Sequence, residues 1–502
     1  MLDSSVAERR GTARPLALAA SGRHLAQFSK LTTARTALSL DSLSARLLGM
    51  GYRESPKRDA TMNQEVVGEG TTTPVAPGPD ANPPTSVRSP ADLRRMFFLI
   101  SVGLFITSLG QPGVIGQLPF RFLFKNQFHL NAAEQANFFA IATFAWYFKP
   151  LAGLLCDSFP LFGSRRRNYL MLTSVVAGLT WSLFAVAPRS YATFFWLMLL
   201  LNAAMVIAST SIGGLLVEAG QAGGATGRLA SVRYAIDGVI NVIAGPVGGW
   251  LAARAFGWTA GMGTLLLFAL VPVTMVLVKE PRTAQRDLAV WSAAAVQFRQ
   301  ILRSKTMWAA AALLLFVFMA PGFGIAMNYY QQDVLRFSTE FIGRLQALGG
   351  IGGILATASY AYFCRKLSLK PLLLGGILLN AVSSLLYLWY RTPQSAMVID
   401  SANGFLAILG ILPLFDLAAR ATPRGSESFG YALLMSVYNI AVFAISNPLG
   451  SWLYELPGAG WHHNLTRLVW LNAGTSLIAL ILVPFLPRAL VSQREGETSG
   501  TS

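Results

Sequence analysis

The sequence predicts an all-α, polytopic membrane protein with 12 transmembrane helices. Of its 502 residues, 53% are hydrophobic and only 13% are charged, and its mean hydropathy is +0.48. A soluble domain carries about 25% charged residues, so this composition indicates a chain that lies mostly in lipid. After residue 95, apolar segments recur with about 20 residues each, the length that crosses about 30 Å of hydrocarbon. Continuous apolar segments favour helices over the alternating strands of a barrel.

The chain begins with a different kind of sequence. Residues 1–92 are rich in Arg, Ser, Thr, Ala and Pro, and they contain no apolar run long enough to span a bilayer. This composition predicts a disordered extension. The first fifty residues are rich in Arg and Ser and poor in acids, as organellar transit peptides are. A start codon placed too far upstream, with Met62 as the true start, explains them at least as well.

Twelve apolar segments follow the extension. They lie at approximately residues 96–116, 133–156, 169–187, 191–217, 229–253, 258–278, 307–330, 340–364, 370–390, 395–419, 429–454 and 466–487. The longest connection between them is basic and partly amphipathic, and it separates two groups of six. The predicted organisation is therefore a first six-helix bundle over 93–278, a cytoplasmic linker over 279–306, a second six-helix bundle over 307–487 and a tail over 488–502.

The basic residues predict the orientation of these segments. Taken alternately, one set of connections holds about 21 Lys and Arg residues and the other about 8. Basic connections stay in the cytoplasm, so both termini are predicted to be cytoplasmic, which requires an even number of spans. The net charge of +17 is spread over these connections rather than gathered on one domain. It therefore indicates a lipid bilayer as partner and no nucleic acid.

The two groups of six contain an internal repeat. Residues 227–251, GRLASVRYAIDGVINVIAGPVGGWL, align at an offset of 202 with residues 429–453, FGYALLMSVYNIAVFAISNPLGSWL. The alignment superposes a Pro-x-Gly-x-Trp motif and places Asp237 opposite Asn439. Repeated bundles that enclose a substrate site at their interface are typical of secondary transporters. A chance sharing of Pro and Gly between two apolar helices is the alternative.

Two motifs carry a family resemblance. Residues 146–170, WYFKPLAGLLCDSFPLFGSRRRNYL, fit the pattern W-x-x-K-P-L-x-G-x-x-x-D-x-x-P-x-x-G-x-R-R-R-x-Y-L, and residues 423–439, PRGSESFGYALLMSVYN, fit P-x-G-x-E-x-x-x-Y/F-A-L-L-M-S-x-x-N. Both resemble the folate-biopterin transporter family of the major facilitator superfamily, over about residues 96–487. The resemblance implies two six-helix bundles that move a folate or pterin-like solute by alternating access.

One departure from the family pattern leaves the identity of the transported solute undecided. The family often carries D-x-x-x-D in its fourth helix, whereas this chain has Ser209, Thr210 and Ser211 where the first acid is expected. A carrier of the same scaffold for another small solute, such as an amino acid, a sugar or a drug, is therefore the alternative. The resemblance leaves coupling to a proton, and thus symport, as a further option.

The candidate substrate-binding residues are polar groups inside predicted spans. They are Lys149, Arg233, Asp237 and Asn439. A charge in hydrocarbon costs about 3 kcal/mol, so Lys149 is expected to face a protein interior or a water-filled path. It can bind an anionic solute or form a salt bridge that fixes the fold. Arg233 and Asp237 are four residues apart, so they can neutralise each other on one helix face or contact the solute.

The candidate gating residues lie near predicted cytoplasmic ends of helices. They are Asp157, Arg165, Arg166, Arg167, Asp416, Arg420 and Glu427. For Asp157 and the three arginines, a charged hinge that only orients two helices is the alternative. The polar residues that close the seventh segment, Gln331 and Asp333 among them, are expected to meet the outer solvent.

No motif in the sequence calls for an enzyme, a cofactor or a metal. There is no GxxxxGK[ST] phosphate-binding pattern, and none of the four histidines has metal-ligand spacing with acids inside the membrane. An embedded enzyme would need converging catalytic groups, and a channel more often forms by oligomerisation of a few helices. The prediction is a multi-pass membrane transporter, in the plasma membrane, or in an organelle if the extension is a transit peptide.

Overall fold

The computed structural model describes residues 90–164, 166–222, 226–277, 289–423, 427–457 and 461–487, together with Ser492. The N-terminal extension up to residue 89 and the rest of the tail after residue 487 lie outside the described part. The described part is helical apart from its turns and connections, so the all-α prediction is confirmed there.

The first half of the described chain contains eight α-helices. They are α1 (Pro90–Leu109), α2 (Gln117–Asn126), α3 (Ala132–Ala142), α4 (Lys149–Ser158), α5 (Arg167–Val186), α6 (Tyr191–Ala222), α7 (Thr226–Ala252) and α8 (Phe256–Leu277). A 3₁₀ segment, Phe144–Phe148, joins α3 to α4. The amphipathic helix α9 (Ala289–Arg303) then leads to the second half.

The second half is built from α10 to α17. These are α10 (Lys305–Phe318), α11 (Gly324–Tyr329), α12 (Thr339–Lys366), α13 (Leu369–Leu385), α14 (Pro393–Ala421), α15 (Glu427–Asn439), α16 (Asn447–Glu455) and α17 (Trp461–Ala479). Two π-helical segments extend α11 and join α15 to α16, at Tyr330–Val334 and Ile440–Ser446. Two 3₁₀ segments, Leu386–Trp389 and Leu480–Phe485, end α13 and α17.

Eight helical segments of the described part are long and apolar enough to cross a membrane, or up to ten if each bent pair of helices is one span. Two of the segments predicted from sequence, 96–116 and 307–330, correspond to helices that break. α1 gives way to α2 around Pro112, and α10 gives way to α11 around Pro321. Proline lacks an N–H and clashes with the preceding turn, so such sites interrupt a helix. Length and composition thus support several spans without reaching the predicted count of twelve.

Each half has its own buried core. In the first half, the core centres on aromatic rings: Phe120 lies 5.6 Å from Trp181 and 5.2 Å from Phe184, between ring centroids. The core of the second half is mostly aliphatic, with Leu313, Leu373 and Val483 among its members. Many large apolar side chains on the outer faces are exposed, as expected for helices that face lipid.

The halves meet along two helix seams, α7 against α12 and α3–α4 against α15–α16. The first seam requires glycine, because a Cβ atom added to Gly245 would lie 2.5 Å from the carbonyl oxygen of Gly343. Charged residues cluster at the two ends of the helices. We call the end that holds Lys125 and Asp333 the Lys125 end, and the end that holds Asp157 and Arg420 the Asp157 end.

Candidate functional site

A cavity of about 470 Å³ lies within the second half, between the helices α10 to α17. Its volume is in the range of small-molecule sites. The polar side chains in its wall are Arg121, Asn328, Gln331, Gln346, Asn380, Ser383, Ser384, Tyr387, Asp400, Asn403, Ser446 and Asn472. Of these, Arg121 alone comes from the first half.

Two irregular backbone segments form part of this wall, the break between α10 and α11 and the π-helical segment after α15. The two segments are joined by a backbone hydrogen bond, because the Gly322 N–H donates to the Ser446 carbonyl at 3.0 Å. The Asn472 amide donates to the Pro321 carbonyl at 3.0 Å. Non-helical backbone at membrane depth is tolerated where it lines a cavity or is buried in protein, and both conditions hold here.

The acid in the cavity wall is Asp400, a residue that our sequence interpretation did not single out. Each of its carboxylate oxygens accepts a hydrogen bond from a tyrosine, Tyr387 at 3.2 Å and Tyr390 at 2.7 Å. Those two hydroxyls accept in turn from Asn403 at 2.9 Å and Gln331 at 2.8 Å. The network holds the carboxylate in one orientation at the cavity surface.

Two of the predicted substrate-binding residues meet around Trp146, on the seam between the halves. Lys149 Nζ lies 5.3 Å from the centre of the Trp146 ring and 3.4 Å from Ser209 Oγ. The Asn439 amide donates to the Trp146 carbonyl at 3.1 Å. Val442, less than one turn after Asn439, lines the cavity. Lys149 and Asn439 therefore both contact Trp146 near the cavity, without lining it. Ser209 contacts Lys149 from the helix where the family often has an acid.

Asp237 lies on the other seam. It is half-buried on α7, next to Gly238, where an added Cβ would lie 2.7 Å from Ile354 of α12. Asp237 and its repeat counterpart Asn439 thus belong to different seams. The side chain of Arg233 falls outside the described residues.

At the Asp157 end, predicted gating residues form ion pairs within each half. Arg166 Nη2 lies 3.0 Å from Asp157 Oδ1, and Gly214 of α6 leaves room for this arginine, because an added Cβ would lie 2.4 Å from the guanidinium carbon. Arg167 donates to the Met275 carbonyl at 3.2 Å. Arg165 and the side chain of Glu427 lie outside the described part of the chain.

The second half has a corresponding pair on one helix. Arg420 Nε and Nη2 donate to the two carboxylate oxygens of Asp416, each at 2.8 Å. The Tyr360 hydroxyl of α12 donates to the same carboxylate at 3.2 Å, so this pair also fixes α12 against α14.

At the Lys125 end, polar contacts join the two halves. Lys125 of α2 forms an ion pair with Asp333, and Glu455 of α16 accepts from the Ala132 N–H at the start of α3, at 2.9 Å. The expectation that Gln331 and Asp333 merely meet outer solvent was wrong, because Gln331 is buried in the cavity wall. Their partners lie far away in sequence, so no local pattern could have indicated these contacts.

The fold is shared with solved membrane transporters. A D-xylose-proton symporter aligns with a TM-score of 0.61 at 14% identity, over 79% of this chain and 98% of that protein. A peptide transporter in complex with sulfate aligns with a TM-score of 0.61 at 13% identity, over 82% and 98%. These alignments show that the chain shares the fold of the solved proteins, and its apolar helices indicate a multi-pass membrane protein.

Sequence comparison gives the family. Residues 113–501 match the profile of the BT1 family, and the chain belongs to that family. It is 28% identical to a folate-biopterin transporter of Synechocystis sp., over 74% of this chain and 78% of that protein. It is 22% identical to folate transporter 2 of Plasmodium falciparum, over 74% and 84%. The predicted resemblance is therefore confirmed.

Proposed function

We propose that this protein is a secondary transporter that moves a folate or pterin-like solute across a membrane by alternating access. The observation that carries the proposal is the cavity of about 470 Å³ in a chain of the BT1 family. Its wall contains the Asp400 carboxylate, which two tyrosine hydroxyls orient, and many amide and hydroxyl groups. The two relatives, a folate-biopterin transporter and a folate transporter, agree with it. The competing proposal is that this protein carries a different small solute, such as an amino acid, a sugar or a drug, on the same scaffold.

We further propose that twelve spans cross the membrane as two six-helix bundles, 93–278 and 307–487, with 279–306 as the linker and both termini in the cytoplasm. This count takes each of the pairs α1–α2, α3–α4, α10–α11 and α15–α16 as one span and assigns α9 to the linker. The excess of basic residues in alternate connections supports the orientation. In this topology the Asp157 end is cytoplasmic and the Lys125 end faces outward.

The proposed solute contacts follow from solute chemistry. A folate has a carboxylate tail and a flat heterocycle with an amide-like edge, so its site needs a cation for the tail and an acid or amide for the ring. Lys149 is the proposed cation, and Asn439 the proposed amide, because both contact Trp146 beside the cavity. Asp237 and Arg233 are proposed to act from the α7 seam. Charge-assisted hydrogen bonds in a shielded site are about twice as strong as neutral ones.

The proposed gate consists of the charges at the Asp157 end, in both halves. The ion pairs of Asp157 and Asp416 each lie within one half, so they can rearrange when the halves separate or meet. Arg165, Arg167 and Glu427 are assigned to the same gate by their positions in the two motifs. A bias of a few kcal/mol between two arrangements changes their populations strongly.

Three further properties are proposed. The activity is transport rather than an enzymatic reaction, because the homologues and the fold are those of transporters. The membrane is the plasma membrane, or an organellar one if residues 1–92 act as a transit peptide. A proton is the proposed coupling ion.

Transport in liposomes tests the proposal. Purified protein is reconstituted with internal unlabelled folate, and uptake of labelled folate or a pterin is followed over time. Saturable counterflow is expected, since each alternating-access cycle exchanges one solute for another. Flux that rises linearly with the gradient would indicate a channel, and an absence of exchange for folates and pterins together with exchange of another solute would favour the competing carrier.

A further inference from the structure

The cavity of the second half presents hydrogen-bond acceptors that the protein leaves unused. An ionised carboxylate has about four acceptor sites, and the two tyrosines occupy only two of those of Asp400. No ion pair of Asp400 occurs among the residues that the structure describes. The remaining acceptor sites are therefore available to a solute in the cavity.

A second acceptor lies in the same wall. Asn328 is buried, with 5% of its surface exposed, and its amide nitrogen donates to the Gly324 carbonyl at 3.0 Å. That hydrogen bond fixes the amide orientation, and the other atom, Oδ1, is buried and has no hydrogen-bond partner among the described residues. An unpaired buried acceptor costs about 1–3 kcal/mol, a cost that a bound solute with an N–H group would remove.

One donor group complements these acceptors. Arg121, the single first-half residue in the wall, donates one hydrogen bond, to the Gly324 carbonyl at 3.2 Å, among the described contacts. A guanidinium carries five N–H donors, so further donors can meet an anion. The cavity thus combines acceptors on two second-half helices with a cationic donor group from the first half.

We infer that this cavity recognises a flat heterocycle through its N–H edge, with Asp400 and Asn328 as the acceptors and Arg121 as a second cation, in addition to Lys149, for an anionic tail. The ring class is a 2-amino-4-oxo pyrimidine fused in a pterin, whose ring N–H and exocyclic amino group form a pair of adjacent donors. Such a pair matches a carboxylate in the bidentate manner. This inference rests on the proposed function and adds the residues that would bind the ring.

Equilibrium binding of three compounds to the purified full chain tests the inference. The compounds are folic acid, its analogue without the 2-amino group, and p-aminobenzoylglutamate, which has the tail but no pterin ring. The parent protein is expected to bind folic acid about tenfold to a hundredfold more tightly than the 2-deamino analogue, because loss of one donor leaves a buried acceptor unpaired. Asp400→Asn is expected to abolish that ratio and leave p-aminobenzoylglutamate binding unchanged.

Controls separate recognition from folding. Glu340→Gln makes the same acid-to-amide change on α12 outside the cavity wall and is expected to preserve the parent ratio. If Asp400→Asn fails to fold, the same binding measurements are made on Asn328→Ala, and its preference for folic acid over the 2-deamino analogue is expected to be reduced. A parent ratio near one, or a full ratio in folded Asp400→Asn, overturns the inference and leaves the proposed function standing. A parent that binds neither folate compound overturns both.

Discussion

Breaking the ion pair between Lys125 and Asp333 should open the Lys125 end of the protein. The pair joins α2 of the first half to the π-helical segment after α11 in the second half. In an alternating-access cycle, this contact exists only while the Lys125 end is closed. Lys125→Ala therefore removes stabilisation from the closed state alone, and the ratio of open to closed molecules should rise.

The burial of the pair sets the size of the effect. The side chains of Lys125 and Asp333 are 13% and 35% exposed, which lies between a surface pair and a fully buried one. Surface pairs contribute about 0–1 kcal/mol, and truncating one partner of a buried pair costs about 2–5 kcal/mol. We therefore expect about 1–2 kcal/mol, which is about a fivefold to thirtyfold rise in the open-to-closed ratio.

Pulsed dipolar spectroscopy between two spin labels measures this ratio. The labels are placed at exposed positions on opposite halves near the Lys125 end, Ala192→Cys on α6 and Gln394→Cys on α14. The two natural cysteines, Cys156 and Cys364, are buried and form no disulfide, and they are replaced by alanine in all samples. The population at the longer distance is expected to grow in Lys125→Ala by the stated factor.

A matched control removes a contact at the same end without uncoupling the halves. Gln127 accepts a hydrogen bond from Arg189 at 2.8 Å, and both residues lie in the first half. Gln127→Ala should leave the distance distribution as in the parent. Should Lys125→Ala leave it unchanged as well, the ion pair does not hold this end closed and the reasoning fails.

Three other predictions address packing, gating and binding. Gly245→Val should destabilise the protein by about 1–3 kcal/mol and lower its Tm, because a side chain there meets the α12 backbone, whereas Gly257→Val, with nothing within 4 Å, should not. Asp157→Asn should slow counterflow at near-normal solute affinity, and a large affinity loss at an unchanged rate would contradict its gating role. Lys149→Ala should weaken folate binding by about 2–5 kcal/mol and Asn439→Ala by about 1–3 kcal/mol, and parent-like affinity in both folded variants would remove them from the site.

The sequence predicted the helices and the family motifs because their signals are local. An apolar run long enough to cross lipid is visible in any one segment, and so is the motif from Trp146 to Asp157. The first motif also contains Lys149, and the second motif contains Asn439, so both residues could be identified as candidates. In the structure both residues contact Trp146, whereas Asp237, which the repeat alignment places opposite Asn439, lies on the other seam.

The Asp400 cluster and the Lys125 end could not be predicted in this way. Asp400 receives its hydrogen bonds from tyrosines at the end of the preceding helix, and the amide that supports Tyr390 comes from Gln331. Lys125 and Asp333 are more than two hundred residues apart. Such contacts depend on how the helices pack, and a single sequence records no pairing of this kind.

The two repeats differ where the cavity forms, and this difference gives a final prediction. α7 runs unbroken through Pro246, whereas its counterpart widens into the π-helical segment Ile440–Ser446 before Pro448. The widened segment places Ser446 against the broken helix, where its hydroxyl donates to the Ala320 carbonyl at 2.7 Å. π-Helical segments are frequent at functional sites, and here the segment supports one wall of the cavity.

Ser446→Ala should therefore weaken both the fold and the site. Ser446 is buried, so the change leaves a carbonyl of the broken helix unpaired and should cost about 1–3 kcal/mol in the free energy of unfolding. Folate affinity should fall too, because the break lines the cavity. Ser436→Ala is the matched control: that serine is equally buried on the same helix, but its hydroxyl bonds to its own helix, at Ala432. Equal losses of Tm and affinity in the two variants would mean that the break needs no support from the π-helical segment.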